Sequence, residues 1–327
     1  MLKLDAEIVW WRLKVPFTIA RETLTEIGCI QLVLTDAAGN RGRGEAIGVD
    51  YAGETPETML AQIEALRLRI EAGLTIAEAQ PLLPPGGARN ALDCALWDLA
   101  AKQSATPAWQ AAGLSDFTPR PTAFTFGIMD DAALRDAARE HGEFALLKVK
   151  TDREHGLDPV RIVHEAAPQA RLIVDANESW SEAELRRFAG QFEALNVALL
   201  EQPVHPHADE ILRSLSLPVP VAADEAFDDR ASIAALVGKY QVLNIKLDKT
   251  GGLTEALACA DAGRLQGFGL MIGCMVGSSL SMAPGMIVAQ QCGFVDLDGP
   301  LLQVGDVANP IGYDGGMIGT PAPTLWG

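Results

Sequence analysis

Five short apolar runs between Leu146 and Gly252 each end in a charged residue. The charges lie 22 to 26 residues apart, the length of one strand, one helix and their two connecting loops. Strands of a parallel sheet are covered on both faces, so they read as uninterrupted apolar runs. The repeat predicts a parallel barrel whose C-terminal strand ends, the usual place of a barrel active site, carry these charges: Lys150 in Ala-Leu-Leu-Lys-Val-Lys (145–150), Asp175 in Leu-Ile-Val-Asp-Ala-Asn (172–177), Glu201 in Ala-Leu-Leu-Glu-Gln-Pro (198–203), Asp224 in Val-Ala-Ala-Asp-Glu (221–225) and Lys246 in Leu-Asn-Ile-Lys (243–246).

Strand and helix patterns alternate from Thr122 onward, and eight strands are enough to close a barrel. Amphipathic helices are predicted between them, among others over 131–141, 181–195 and 254–264. The Gly- and Pro-rich tail shows no final helix, so the fold class is α/β, a (β/α)7β TIM-like barrel. The strands are expected near 122–128, 144–150, 171–175, 197–201, 219–224, 242–246, 269–274 and 293–297.

The first part of the chain has a different order, with strands first and helices second. Apolar runs predict strands over 3–12 and 27–35 and a third short strand ending near residue 46, followed by helices over 55–72 and 88–103. Thr118-Pro-Arg-Pro is the expected linker. We therefore divide the chain into an α+β domain over 1–118, the barrel over 119–300, and a tail over 301–327 that packs back toward the first domain.

Composition limits the partners. Hydrophobic residues make up 48% of the 327 residues, which is typical of a folded protein, and the formal net charge of −17 argues against nucleic acid and anionic membranes as partners. The five cysteines form no Cys-x-x-Cys pair, and the N-terminus has no apolar run of signal-peptide length. We expect a cytoplasmic protein that binds a small molecule. The sequence leaves the oligomeric state open, a homo-oligomer included.

The three acids Asp175, Glu201 and Asp224 end the third, fourth and fifth predicted strands. Adjacent carboxylates repel one another unless a cation lies between them. Oxygen ligands from three single carboxylates suit Mg²⁺, which keeps positions open for water or substrate oxygens. The sequence therefore predicts a magnesium site.

Lysines flank this acidic group on the second and sixth strands. Side chains alternate along a strand, so Lys148 shares a face with Lys150, and Lys246 is expected to share a face with Asn244 and Asp248. A carboxylate substrate held by Mg²⁺ has an acidified α-hydrogen, and the metal stabilises the enediolate left when that hydrogen departs. One lysine would remove the proton and the opposite lysine would return it.

Each of these residues also has an ordinary structural explanation. A single acid at a strand end is often a helix N-cap, and Lys148 alone reads as a surface lysine. Cys274 ends a predicted strand, where a buried inert thiol is the default. Five charges in one register are not accounted for in this way, and the register favours a functional site.

Five segments resemble the enolase superfamily in its muconate-lactonising subgroup: Lys-Val-Lys (148–150), Val-Asp-Ala-Asn (174–177), Glu-Gln-Pro (201–203), Ala-Asp-Glu (223–225) and Asn-Ile-Lys-Leu-Asp-Lys-Thr-Gly-Gly (244–252). The resemblance implies a capping domain in front of the barrel and one Mg²⁺ per subunit. It also implies that Lys150 and Lys246 are the acid/base pair, facing the L- and D-epimer respectively. Lys148 would be an auxiliary cation, and Asp175, Glu201 and Asp224 the metal ligands.

Within the subgroup, Phe294-Val-Asp-Leu-Asp-Gly-Pro resembles the dipeptide epimerases, in which such an acidic pair holds the α-ammonium group of the substrate. Asp296 and Asp298 would have that role here. Arg21 matches an arginine that these enzymes direct at a glutamate side chain, and Thr125 and Cys274 are further candidates for substrate contact. One departure is Gly277-Ser278, where some relatives carry Glu-Thr.

The resemblance implies an isomerase that epimerises a dipeptide at the α-carbon of its C-terminal residue, with L-Ala-D/L-Glu the first expectation and recycling of murein peptides the setting. Three alternatives stay open. One is cycloisomerisation, or a syn-elimination like that of o-succinylbenzoate synthase, on a carboxylate. Another is epimerisation of a different dipeptide, and the third is a barrel without catalysis that binds a carboxylate or serves as a scaffold.

Overall fold

The computed structural model describes residues 1–327. Its first domain begins with a three-stranded antiparallel sheet in the order Lys3–Thr18, Thr23–Thr35, Arg41–Ala46. The first two strands are longer than the sequence predicted, and their pairing slips between Arg12 and Phe17. Only four residues, 19–22, separate them, and this turn lies at the edge of the cavity described below.

Helices cover one face of this sheet. The predicted helix over 55–72 is two helices, Pro56–Ala65 and Arg67–Ala72, and the second predicted helix is Gly87–Ser104. The core between sheet and helices is apolar because alternate strand residues meet the inner helix faces: Ile30, Leu32, Leu34, Met59, Ile63, Ala91, Leu92 and Ala95 are all buried.

The second domain is an eight-stranded parallel sheet in sequential order. The prediction of a (β/α)7β barrel with an α+β domain in front of it is confirmed. All eight predicted strands are present. The third and fourth have the predicted bounds, and the other six are shorter than expected: Ala123–Phe126, Leu146–Lys150, Arg171–Asp175, Val197–Glu201, Val221–Ala223, Val242–Ile245, Gly269–Ile272 and Phe294–Val295.

Side chains hold the first and eighth strands together. The backbone N–H of Leu297 donates to Oγ1 of Thr122 at 3.0 Å, and the backbone N–H of Thr125 donates to Oδ2 of Asp298 at 2.6 Å. This seam fixes Asp298 at the mouth of the barrel.

Helices and short 3-10 turns connect the strands on the outside. No helix is both long and apolar enough to cross a membrane. Two further short helices, Ile76–Ala79 and Ala108–Ala111, lie in the first domain. The α-helices after that domain are Asp131–Glu140, Asp158–Ala166, Glu182–Phe188, Ile233–Leu236, Leu247–Thr250, Leu253–Leu265, Ser279–Ala289 and Gly299–Leu302. The 3-10 turns are Asp50–Ala52, Gln80–Leu82, Ala189–Gln191 and Pro206–Arg213.

The tail runs back along both domains. Its short strands Tyr313–Asp314 and Met317–Ile318 pair with each other, and the second of them pairs with Arg120–Pro121. The indole N–H of Trp326 donates to the carbonyl of Cys94 in the long helix at 3.1 Å.

Candidate active site

The charged strand ends converge on one buried cluster. Lys150 lies opposite Asp175 in the parallel register, and Asp175 lies opposite Glu201. Asp224 and Lys246 directly follow the fifth and sixth strands. Because parallel strands present their C-terminal ends at the same rim, residues far apart in sequence meet there, as the strand pattern predicted.

Lys148 lies at the centre of the cluster. Its Nζ is 2.9 Å from Oε1 of Glu201, 3.1 Å from Oδ2 of Asp175 and 2.9 Å from Oδ2 of Asp296, and the side chain is 3% exposed. Burial alone would lower the pKa of Lys148, but Asp296, Glu201 and Asp175 outweigh it and raise the pKa well above the usual value. Lys148 is therefore a fixed positive charge and not a surface lysine.

Lys150 and Lys246 pair with different acids. Nζ of Lys150 is 2.6 Å from Oδ2 of Asp175, and Nζ of Lys246 is 2.7 Å from Oδ2 of Asp224. Burial opposes charge on Lys246, yet Asp224 raises the pKa of Lys246 above its usual value. Burial would likewise raise the pKa values of the two aspartates, but Lys150 and Lys148 lower that of Asp175, and Lys246 and Lys249 lower that of Asp224.

Among the three candidate metal ligands, Glu201 has the fewest counter-ions, with one lysine where Asp175 and Asp224 each have two. Burial, with Asp175 adding to it, raises the pKa of Glu201 to about 8. Its Oε2 is buried and accepts no well-aligned hydrogen bond, although Nζ of Lys148 lies 2.8 Å away. Lys148 is shared with Asp175 and Asp296. A second cation beside Oε2 would therefore offset the cost of burying this oxygen without a hydrogen bond.

Asp175, Glu201 and Asp224 fit a hard divalent cation. All their donor atoms are carboxylate oxygens, the type that Mg²⁺ prefers. In the structure these acids pair with lysines and do not converge on one point. The unpartnered oxygen of Glu201 is the observation that supports a metal among them.

A cavity of about 290 Å³ opens above the cluster, between the barrel and the first domain. Arg21, Thr125 and Cys274, the candidates for substrate contact, all line this cavity. The thiol of Cys274 has a pKa well above its usual value because it is buried, so Cys274 supplies surface and not a thiolate. The lining also includes Lys148, Lys150, Asp224, Lys246, Asp296 and Asp298.

Asp296 and Asp298 both reach the cavity, but their environments differ. Asp296 has Lys148 as a counter-ion at 2.9 Å and accepts a hydrogen bond from Oγ1 of Thr125 at 3.3 Å. Asp298 has no lysine, and burial together with Asp296 raises its pKa to about 7. The negative charge of the two carboxylates is only partly neutralised by the protein. A positively charged group on a ligand would neutralise the rest.

Arg21 reaches the barrel from the first domain. Its Nη1 lies 2.8 Å from Oε1 of Glu225 and 3.2 Å from Oε2 of Glu178, and the guanidinium stacks over the ring of Tyr51 at 5.1 Å. Two barrel acids therefore dock the turn that carries Arg21.

One predicted placement is wrong. Asp248 does not share a face with Lys246, because the sixth strand ends at Ile245 and Leu247–Thr250 is a helical turn. The carboxylate of Asp248 turns toward the first domain and accepts the backbone N–H groups of Ile47 and Gly48, both at 2.9 Å.

The same turn places Lys249, which the sequence analysis missed, on the other side of Asp224. Nζ of Lys249 lies 2.6 Å from Oδ1 of Asp224. Asn244, whose position on the strand was predicted, donates to Oε1 of Glu201 at 2.9 Å. Glu225, next to Asp224 in the sequence, lines the cavity and was also missed. Side-chain alternation in a strand gives no direction for residues beyond the strand end, and this is why Lys249 and Glu225 carried no signal.

An eight-stranded barrel that collects acids and lysines at one rim, under a separate α+β domain, defines a capped-barrel enzyme acting at the strand ends. Comparison with known families agrees with that class. Residues 130–321 match the enolase C-terminal domain-like family, and residues 3–113 match the N-terminal domain of the mandelate racemase / muconate lactonizing enzymes. This protein belongs to the mandelate racemase / muconate lactonizing enzyme family of the enolase superfamily, which confirms the predicted resemblance.

Characterised relatives cover nearly the whole chain. The L-Ala-D/L-Glu epimerase of Escherichia coli is 40% identical over 310 residues, covering 94% of this chain and 96% of that protein. An N-acetyl-D-glutamate racemase of Pseudoalteromonas is 41% identical over 288 residues, covering 87% and 91%. An enolase family member of Agrobacterium tumefaciens with homology to dipeptide epimerases, solved with sodium and L-Ala-L-Glu, is 38% identical with a TM-score of 0.97 and covers 100% of both chains.

Proposed function

We propose that this protein is a Mg²⁺-dependent isomerase that epimerises a dipeptide at the α-carbon of its C-terminal residue, with L-Ala-D/L-Glu as its substrate pair. One observation carries the proposal. Lys150 ends the second of eight sequential strands and Lys246 directly follows the sixth, so they lie on opposite sides of the barrel axis. Two bases on opposite sides of one carbon suit the removal of a proton from one face and its return to the other.

Asp175, Glu201 and Asp224 would hold the metal, since they are buried and offer only oxygen donors. When bound, Mg²⁺ supplies positive charge against the negative charge that develops on the substrate carboxylate, as in other enolase-superfamily sites. Lys148, fixed beside Glu201, adds a second positive charge at the same place.

The two lysines exchange the proton. Nζ of Lys150, as a neutral amine, takes the α-proton of the L-epimer, and the ammonium group of Lys246 delivers a proton to the opposite face of the resulting enediolate. The reverse reaction exchanges their roles. The contact of 2.7 Å between Nζ of Lys246 and Oδ2 of Asp224 favours the ammonium form of Lys246 in the metal-free site, which suits a proton donor.

Side chains around the cavity would fix the two ends of the dipeptide. Asp296 and Asp298 bind the free α-ammonium group, with Thr125 holding both carboxylates in place. Arg21 has two nitrogens, Nε and Nη2, that make no hydrogen bond within the protein, and these are directed at the side-chain carboxylate of the C-terminal residue. Cys274 contributes a wall of the same cavity.

We also infer how the chain is divided and where it acts. Residues 1–118 form the capping domain with the specificity loops, 119–300 the barrel with the active site, and 301–327 the tail. We place the protein in the cytoplasm, where recycled murein peptides would supply the substrate, and the site as described needs no residue from a second subunit.

The test is isotope exchange in D₂O. The protein is incubated with Mg²⁺ and a set of L-Xaa-L-Xaa dipeptides, and deuterium at the α-carbon is followed by mass spectrometry. We expect incorporation into L-Ala-L-Glu and close analogues, together with formation of the D-epimer. Exchange without inversion, or no exchange in any dipeptide, would refute the epimerase and favour cycloisomerisation or syn-elimination.

Removal of either base separates the two half-reactions. Lys150→Ala and Lys246→Ala should each lower epimerisation by about 10³-fold or more, since each removes a proton carrier. Each variant should still exchange the α-hydrogen of the epimer that faces the remaining lysine. A Lys246→Ala variant that epimerises at the normal rate would contradict the two-base mechanism.

A second substrate class has support from one observation. Asp296 already has Lys148 as a counter-ion, and the raised pKa of Asp298 weakens its charge near neutral pH. Both facts reduce the demand for an ammonium group and suit an N-acylated glutamate, the type of molecule that the Pseudoalteromonas racemase is named for. The Asp298→Asn variant distinguishes the two substrate classes. If the dipeptide is the substrate, kcat/KM for L-Ala-L-Glu should fall by about 10-fold or more, and N-acetyl-L-Glu should be a poor substrate of both the wild type and the variant. If N-acetyl-L-Glu is the better substrate and the substitution does not lower kcat/KM for it, the N-acyl substrate is supported.

A further inference from the structure

A continuous chain of hydrogen bonds joins the capping domain to Lys150. Nη1 of Arg21 donates to Oε1 of Glu225 at 2.8 Å. Nδ2 of Asn177 donates to the same oxygen at 3.1 Å, and Oδ1 of Asn177 accepts from Nζ of Lys150 at 3.0 Å. The neighbours fix the orientation of the amide, since an ammonium group can only donate and a carboxylate can only accept.

The middle of this chain is buried. Asn177 is 4% exposed, and so is the side chain of Glu225. The second oxygen of Glu225 has no hydrogen-bond partner, so Glu225 is held through Oε1 alone. Any movement of Arg21 away from Oε1 therefore removes one of only two donors that fix this carboxylate.

The backbone at Asn177 is built for this contact. Asn177 and Glu178 have φ values of 40° and 68°, in the left-handed region that residues other than glycine rarely adopt. The backbone N–H of Asn177 donates to Oδ1 of Asp175, which anchors the turn. This conformation directs the amide of Asn177 between Lys150 and Glu225.

We propose that Asn177 and Glu225 are positioning residues that couple docking of the Arg21 turn to the placement of Nζ of Lys150. The proposal rests on the proposed function, because it assigns Lys150 to proton transfer. With Arg21 on Glu225, the carboxylate, the amide and the amine are aligned. When the turn opens, Asn177 loses its fixed acceptor. Lys150 then keeps its contact with Asp175 but loses the second contact that orients its amine. A substrate whose acidic side chain holds Arg21 over the cavity would thereby favour proton transfer at its own α-carbon.

The first experiment measures deuterium uptake separately for the L- and D-epimer of L-Ala-Glu. We expect Asn177→Ala to slow uptake by the L-epimer, which faces Lys150, by about 10- to 100-fold, the cost of a misplaced reacting group. Uptake by the D-epimer, which faces Lys246, should stay within about twofold. Equal slowing for both epimers, or no slowing for the L-epimer, would overturn the proposal.

Asn196→Ala is a matched control. Asn196 is also an asparagine in the left-handed region, with φ 53°, and its Nδ2 donates to the carbonyl of Ala170. It precedes the fourth strand and lies at the other end of the barrel. We expect Asn196→Ala to lose about as much stability as Asn177→Ala but to leave deuterium uptake by both epimers unchanged. The comparison therefore separates a loss of positioning from a general loss of stability.

The two acids that hold Arg21 should differ. Glu178→Gln weakens a contact of Arg21 that does not pass through Asn177. It should raise KM for L-Ala-L-Glu and lower kcat less than Glu225→Gln does. Glu225→Gln weakens the chain itself and should raise KM and lower kcat. In an Arg21→Met background Asn177→Ala should have a smaller effect on kcat than in the wild type, because the coupling is already lost. Additive effects would contradict the coupling.

A measurement without catalysis tests the docking itself. Limited trypsin digestion in EDTA reports access to the bond after Arg21. Glu225→Gln and Asn177→Ala should both increase cleavage there severalfold, and Asn196→Ala should leave it unchanged. If the wild type exchanges no α-hydrogen while cleavage follows this pattern, the assigned reaction fails and the docking stands. If exchange occurs and cleavage is the same in all variants, the coupling fails and the reaction stands.

Discussion

Asp224 is held by two lysines, one on each carboxylate oxygen. Lys246 lies 2.7 Å from Oδ2 and Lys249 lies 2.6 Å from Oδ1. The side chain of Lys249 is fully buried, and Asp224 is the carboxylate that it contacts there. Of the two lysines, only Lys246 faces the cavity. Lys249 therefore fixes the carboxylate and does not contact the substrate.

Lys249→Met should destabilise the metal-free protein by about 3 kcal/mol, because it leaves Asp224 with one counter-ion in a buried site. Mg²⁺ should restore part of the loss, since binding to the folded state stabilises it and the dication replaces the missing charge. The measurement is the Tm in EDTA and in Mg²⁺. Lys102→Met is the control, because it removes the partner of Asp98 outside the site. Its Tm should rise on addition of Mg²⁺ by as much as that of the wild type. If the Tm of the Lys249 variant rises by no more than this, Lys249 does not compensate the charge of Asp224.

The carboxylate of Asp248 should make stability depend on pH. Burial raises its pKa from the usual 3.8 to about 6. Between pH 4 and pH 6 the unfolded chain has released this proton while the folded protein keeps it, so stability falls as pH rises through that window, by about 3 kcal/mol in total. Asp248→Asn can still accept both N–H groups on its oxygen. This variant should lose less stability than the wild type as the pH rises, which urea unfolding from pH 4 to pH 8 measures. If the free energy of unfolding falls with pH as steeply as in the wild type, Asp248 is not the cause of the pH dependence.

The apolar runs predicted the charged residues that end a strand or directly follow it, and missed Lys249 and Glu225 in the turns beyond. Lys150, Asp175 and Glu201 end regular strands, where alternation fixes the direction of the side chain. Lys249 and Glu225 lie in turns, and only the folded chain shows that they reach Asp224 and Arg21.

At the scale of elements, the third strand of the capping sheet lies unusually close to the long helix Gly87–Ser104. A Cβ placed on Gly44 would lie 2.1 Å from the carbonyl oxygen of Ala91. That atom belongs to helix backbone and cannot rotate away. The strand and helix can therefore pack only if residue 44 is glycine.

Gly44→Ala should destabilise the protein by about 3 kcal/mol, because strand and helix must separate to admit the methyl group. Thermal or urea unfolding measures the change. Gly190→Ala is the control, since a Cβ there meets nothing within 4 Å and its backbone needs no left-handed conformation. It should change stability by less than about 0.5 kcal/mol. If both variants lose a similar amount of stability, the close approach of strand and helix is not the reason for the loss in Gly44→Ala.

The sequence predicted strands and helices well where apolar residues recur at a regular spacing. The third and fourth barrel strands, Arg171–Asp175 and Val197–Glu201, have the predicted bounds. Ser279–Ala289 was not singled out, because nearly all its side chains are buried and no polar face marks the helical period. The break after Ala65 was missed because apolar positions continue through it into Arg67–Ala72.

At the scale of the whole molecule, the candidate site belongs to neither domain alone. The barrel supplies the lysines and acids, and the capping domain supplies Arg21 and closes the cavity. The contact between the domains includes buried charge: Glu45 of the capping sheet accepts the backbone N–H of Ser278 at 2.7 Å and its hydroxyl at 2.8 Å. The strand pattern placed the barrel residues, but the position of Arg21 depends on how the two domains dock, which no local pattern specifies.

The end of the tail is anchored to the long helix and the third strand of the capping domain. Leu325 and Trp326 are buried, Trp326 donates to the carbonyl of Cys94, and Arg43 donates to the carbonyl of Thr324 at 2.7 Å. Removing residues 323–327 should cost about 4 kcal/mol, as for other large buried side chains, and should expose the thiol of Cys94, which is now inaccessible.

Thiol labelling followed by mass spectrometry of the Cys94 peptide, together with Tm, measures both effects of the deletion. Trp326→Phe is the control, since it keeps an aromatic ring in place and loses one hydrogen bond worth about 1 kcal/mol, so Cys94 should stay protected. Equal protection of Cys94 in the deleted chain would show that the tail only covers the domains and does not hold them together. Labelling together with loss of α-proton exchange would instead indicate that the tail maintains the docking on which the position of Arg21 depends.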